Sequence, residues 1–135
     1  MQETWSYVSF CPRYAKWGID QSVMYDRLRT CYDGFASSYG FDVMPVGTAV
    51  QIYRRQLPVR STDTEVGGDP VGKSPTGDSI HMNADGNYLQ ALVWAAKLFG
   101  ADVTTCTYAP DGMPSERAAF LRRIAQKAVF TSEVL

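Results

Sequence analysis

The chain has 135 residues, of which 45% are hydrophobic, 20% charged and 13% aromatic. That is the length of one domain, with enough apolar side chains for a core, and it excludes disorder, collagen and coiled coil. Thirteen basic and fourteen acidic residues leave a net charge of −1. This argues against nucleic acid as the main partner, because phosphate binding needs a basic surplus.

The chain contains a single histidine, His81, which excludes any mechanism built on a histidine pair or a multi-histidine metal site. No metal and no cofactor are expected. The three cysteines, Cys11, Cys31 and Cys106, are far apart and show no CxxC spacing. They read as small buried hydrophobes rather than a disulfide framework. No apolar run approaches the ~18 residues of a membrane-spanning helix. The first residues lack the basic end and apolar stretch of a signal peptide, so the compartment stays open.

Taken in order, Glu3 to Phe10 alternates polar and apolar residues around Trp5, Tyr7 and Phe10. That predicts a strand, ended by Cys11-Pro12. Residues 12–19 read as a loop with exposed Tyr14 and Trp17. Asp20 is a good N-cap, and Met24, Leu28, Cys31/Tyr32, Phe35 and Tyr39 follow at helical spacing up to the stop at Gly40. Phe41 to Val46 reads as a short buried strand of the parallel type. Gly47 and Thr48 turn the chain into a helix over about 48–57, ended by Pro58.

Residues 58–77 form a long loop rich in Gly, Pro, Ser, Thr and Asp, of a length that tends to carry function. Asn83 caps the next helix, whose inner face is Leu89, Leu92, Val93, Ala96 and Phe99 and whose stop is Gly100. Trp94 and Phe99 read as core or interface residues. Pro114-Ser115-Glu116 opens the last helix, with Leu121, Ile124, Ala125 and Ala128 on one face. Strands alternating with helices predict a parallel sheet covered by helices. Four helices are many for two strands. The sheet is therefore expected to be short, completed by another chain, or part of a larger one.

The loop before the third long helix carries three overlapping signals. Gly67 to Ser74 fits G-x-x-x-x-G-K-S, a phosphate-cradling loop in which Lys73 would reach the phosphates. Ser61 to Glu65 upstream is polar, where that motif needs a buried strand. Gly77-Asp78-Ser79 is a G-D-S triplet, and Ser79 is its candidate nucleophile, although the preceding strand is again missing. Asp78-x-x-His81 places a carboxylate within one turn of an imidazole. A carboxylate so placed can fix the ring's tautomer and stabilise the imidazolium formed when the ring takes a serine proton.

The stretch from Asp78 through His81, Asn83, Gly86, Tyr88, Ala91 and Trp94 to Leu98-Phe99-Gly100 resembles the terminal block of SGNH/GDSL-type hydrolases. It is most similar to a Bacteroidetes branch carried as a domain of unknown function. Gln2-Glu3-Thr4-Trp5-Ser6-Tyr7 resembles that branch's Q-E-T-W-x-Y strand end, and Val43-Met44-Pro45-Val46-Gly47-Thr48-Ala49 its V-x-P-V-G-x-A strand. The three segments occur in the same order and span nearly the whole chain.

The resemblance implies a flavodoxin-like three-layer α/β fold, here a C-terminal portion with about two parallel strands and four helices. It implies Asp78 as the orienting acid and His81 as the general base of a Ser-His-Asp triad. The family's nucleophile serine and oxyanion donors come from blocks earlier than the one matched at Gln2. The chain is thus expected to be the C-terminal part of a serine esterase or acetylesterase, inactive alone. The substrate would be a small-molecule or carbohydrate ester. Trp5 and Tyr7 would line its pocket, since ligands sit at strand ends in open α/β sheets. The alternatives are a non-catalytic interaction module or partner-completed subunit, and a phosphate binder through Gly67 to Ser74. A homo-oligomer or a missing N-terminal half would complete the packing; no nucleic acid or membrane partner is expected. Full-length members of the family are often exported.

Overall fold

Two side chains with capping chemistry, Asp20 and Asn83, open long helices in the computed structural model, which describes residues 1–60, 68–73 and 78–131. Asp20 accepts from the Val23 amide at 2.8 Å and starts a 19-residue helix. Asn83 Oδ1 accepts from the Asp85 and Gly86 amides at 3.1 and 3.2 Å. In chain order the elements are α1 (Arg13–Trp17), α2 (Gln21–Tyr39), α3 (Val46–Arg60), β1 (Val71–Lys73), β2 (Asp78–Met82), α4 (Ala84–Phe99) and α5 (Ser115–Phe130), with a 3-10 turn at Val103–Thr105. Gly40 and Gly100 end α2 and α4 at their expected places.

The core lies where α5 crosses α4 and α3. Val46, Ala49, Val50 and Tyr53 of α3 meet Leu89, Leu92, Val93 and Ala96 of α4 and Leu121, Ile124 and Ala125 of α5. Each Leu or Ile buried this way contributes roughly 1.5–3 kcal/mol. Val8, Val71 and Met82 extend the same cluster toward the hairpin.

The expected three-layer α/β fold with parallel strands is not what forms. The described residues are mostly helical, and their sheet is a two-stranded antiparallel hairpin. Its register pairs Val71 with Met82 and Lys73 with Asp78, with an irregularity between. The two expected parallel strands shrink to a single bridge, Gln2 with Met44. The Glu3 amide donates to Met44 O at 3.0 Å and the Met44 amide to Met1 O at 2.8 Å. The ladder then stops because the next amide that could extend it, that of Val46, donates instead to Met44 O at 2.8 Å, and Val46 already begins α3.

The alternation from Glu3 to Phe10 therefore reports an extended segment lying on a helix, not a strand. Ser6 and Val8 are buried and Trp5 and Tyr7 partly exposed, with no ladder along them. Three smaller expectations are also corrected. Residues 13–17 form α1, with Tyr14 buried and its hydroxyl donating to Tyr7 O at 2.8 Å. Burial pushes that phenol up to about 12. α3 continues two residues past Pro58. Part of the long loop, Val71–Lys73, is strand β1.

α2 departs from its expected burial. Tyr25 is its one buried residue, and Phe35 and Tyr39 are 53% and 66% exposed. The spacing located an apolar stripe correctly, but periodicity does not say what covers it. Phe99, expected on the inner face of α4, is 81% exposed.

α3 is buried through nine successive residues, Val46 to Arg54. Thr48, Gln51 and Arg54 recur at three-residue spacing and form a polar stripe on it. Two of them bind the extended N-terminal segment. The Thr48 amide donates to Glu3 Oε2 at 2.7 Å, and Arg54 Nη1 donates to Ser6 Oγ at 2.8 Å. Six helical residues rise about 9 Å. Three extended residues span about 10 Å. The two clamps match in length, so they set both the register and the direction of the segment along the helix.

Candidate functional site

Asp78 opens β2 with a local turn. Its Oδ1 accepts from the Ile80 amide at 2.9 Å and the His81 amide at 3.1 Å. That use of one oxygen leaves the other for the imidazole, and Oδ2 lies 3.2 Å from His81 Nδ1. The two amides, followed by the imidazole, hold the Asp78 carboxyl below its ordinary range. The carboxylate is thus charged when the ring needs an anionic partner. The His81 side chain is 78% exposed, and its Nε2 makes no hydrogen bond to any described residue.

The structure therefore brings together the two residues that the D-x-x-H spacing selected. It places them on a strand and an Asx-type turn rather than in a loop running straight into the helix. The arrangement can hold the imidazole with a proton on Nδ1 and present Nε2 outward as a base. Among the described residues it supplies no hydroxyl for that base to activate. Ser79 is buried, and its carbonyl accepts from the Val8 amide at 3.2 Å.

Trp5 sits against β2. Its indole Nε1 donates to Ile80 O at 2.8 Å, one residue before the imidazole. Tyr7 lies two residues further along, where its ring meets Tyr14 and Trp17 at centroid separations of 6.5 and 6.1 Å. The Arg13 guanidinium lies 5.7 Å from the Tyr7 ring centroid. The Tyr7 carbonyl accepts from Tyr14 and from Gln21 Nε2. Trp5 thus touches the backbone of the pair, while Tyr7 belongs to an aromatic group with α1.

Glycine is required at two places around the hairpin. Gly72 has φ 85°, and a Cβ there would lie 2.9 Å from Asp78 O. At Gly86 a Cβ would lie 2.2 Å from Pro70 O, so the first turn of α4 can press on the residues before β1 only without a side chain.

Sequence reasoning missed a polar network behind the hairpin. Arg54, 7% exposed, forks onto Asp69, with Nε–Oδ2 at 2.9 Å and Nη2–Oδ1 at 3.2 Å. Asp69 Oδ1 also accepts from the Val71 amide at 2.9 Å. The available signal was an arginine on the polar stripe of an otherwise apolar helix. Such a residue needs a buried anion.

Of the phosphate-loop residues, Val71 to Lys73 form β1, while Gly67 and Ser74 lie outside the described residues. No three His, Cys, Asp or Glu side chains among the described residues gather to hold a metal ion. The cysteines are free, and of the three only Cys11 is buried. No described helix is long and apolar enough to cross a membrane. No protein-family model, no curated protein and no solved structure matches the chain.

Proposed function

We propose that the chain supplies the acid–base half of a serine-type ester hydrolase. Asp78 orients the imidazole and His81 is the general base. The nucleophilic serine and the oxyanion donors come from polypeptide outside this chain. One observation carries the reading: Asp78 Oδ2 lies 3.2 Å from His81 Nδ1 while the ring's other nitrogen faces outward, unbonded to described residues. The segment resemblance to SGNH/GDSL-type hydrolases supports the same chemistry and favours acyl or acetyl esters, including those on carbohydrates. In that reaction the serine hydroxyl loses its proton to Nε2 as its oxygen attacks the ester carbonyl. The imidazolium then returns the proton to the departing alcohol, leaving an acyl-serine for water to hydrolyse.

Two measurements test this. A fluorophosphonate probe should label no serine of the isolated chain; stoichiometric labelling of Ser79 or any other serine overturns the half-enzyme reading. Long-range 1H–15N spectra should show neutral His81 as the Nδ1–H tautomer. A mainly Nε2–H ring removes the general base.

A second reading, a non-catalytic interaction module, is favoured by the open apolar stripes of α2 and α4. Met1, Cys31, Tyr32, Phe35, Tyr39 and Phe41 line one groove. Trp94, Leu98 and Phe99 line another. Exposed apolar surface of this kind commonly marks an interaction site. A monodisperse monomer in light scattering counts against packing completed by a second copy.

A further inference from the structure

We propose that Arg54 is a positioning residue for His81, holding both ends of β2 through Ser6 and Asp69; the inference rests on the general-base reading of the Asp78–His81 pair.

The His81 ring cannot hold its own place. It is largely exposed, and its one side-chain bond is the 3.2 Å contact to Asp78. Exposed pairs of this kind are weak. Its position is set by where the backbone of β2 is anchored. A two-stranded hairpin of three and five residues does not provide that anchor unaided.

Two groups of bonds anchor β2. Near its start, the Val8 amide donates to Ser79 O at 3.2 Å and Trp5 Nε1 to Ile80 O at 2.8 Å. Just past its end, Asn83 donates from its amide to Pro70 O at 3.1 Å. Its Nδ2 donates to Asp69 O at 2.7 Å and Gly72 O at 3.1 Å. The first group hangs on the extended segment 5–8, the second on residues 69–72. Neither belongs to a regular element over most of its length, so each needs its own support.

Arg54 supports both. Its Nη1 donates to Ser6 O at 3.0 Å and Ser6 Oγ at 2.8 Å, between Trp5 and Val8. Its Nε and Nη2 take both carboxylate oxygens of Asp69. One buried planar group on α3 thus joins the two anchors. Lysine has the charge but not the fork, and cannot make these four bonds in one plane.

The test reads His81 directly, and since it is the one histidine of the chain, its ring signals need no assignment. Spectra of the full chain give, for the neutral ring, the ratio of Nδ1–H to Nε2–H tautomer. The double variant Arg54→Met/Asp69→Asn removes the pair without stranding a buried charge. Arg54→Lys keeps the charge, and remains to be read if the double variant does not fold. Each folded variant should show a several-fold fall in the Nδ1–H to Nε2–H ratio. Glu3→Ala removes the far clamp of α3, at Thr48, and should leave the ratio unchanged. A folded Arg54 variant with the wild-type ratio overturns the inference, as does an equal shift in Glu3→Ala, which would mark general loosening. A wild-type ring that is mainly Nε2–H overturns instead the general-base reading on which the inference rests.

Discussion

The indole Nε1 of Trp5 donates to the carbonyl oxygen of Ile80 at 2.8 Å, across 75 residues of sequence. Trp5 therefore acts on the candidate site through the backbone that carries His81. The Trp5→Phe variant keeps an aromatic ring and deletes the donor. It should lose about 1 kcal/mol of stability, more if Ile80 O is left dry. Urea unfolding of the two proteins measures the loss.

Asp78 sets an acid limit on the hairpin. Its carboxyl is held below the ordinary 3.8 by the Ile80 and His81 amides first. A depressed folded value means the unfolded chain binds the proton more readily. The stability from Asp78 is then present above pH 3.8 and is lost as the pH falls through the lower folded value. Asp78→Asn keeps an acceptor for the turn but does not titrate. The gap in urea midpoint between wild type and this variant should be constant above that range and shrink below it.

Glu3 runs the opposite way. Burial holds its carboxyl above the ordinary 4.5, although the Thr48 bonds pull it down. The folded chain therefore keeps the proton longer than the unfolded chain. Stability should fall as pH rises from 4.5 through the folded value, then level off. Glu3→Gln can still accept from the Thr48 amide and should lack that slope. Urea midpoints of both proteins across the window compare the slopes, and parallel curves would refute the assignment.

Gly72 tests the join between β1 and the turn at Asp78. Its φ of 85° and the 2.9 Å approach of a Cβ to Asp78 O leave no room for a side chain. Gly72→Ala should cost at least about 1–2 kcal/mol from the left-handed backbone alone. The clash should also displace Asp78, so the His81 ring signals should move with the melting temperature. A stable Gly72→Ala variant with unmoved His81 signals would show that the turn adapts freely.

Much of the helical frame was legible in the chain. Asp20, Asn83, Gly40 and Gly100 bound α2 and α4 where their chemistry places them, because caps act within one turn of their own residue. The Asp78–His81 pair was legible for the same reason, its partners being three residues apart. The strands were not. The apolar members of the alternation, Trp5, Tyr7 and Phe10, are partly or largely exposed, while the polar Glu3 and Ser6 are buried where α3 clamps them, and alternation does not show where such clamps lie.

The sequence by itself determined where helices start and stop and which carboxylate meets the lone histidine, since these depend on spacing within a turn. The tertiary structure decided that the start of α3 cuts the parallel ladder to one bridge, and that Arg54 joins Ser6 to Asp69. Those partners lie 48 and 15 residues from Arg54. No local period encodes such a meeting. It follows from burying nine successive residues of α3, Val46 to Arg54, which leaves the Arg54 guanidinium almost no water and forces it to find its partners in the segments packed around it.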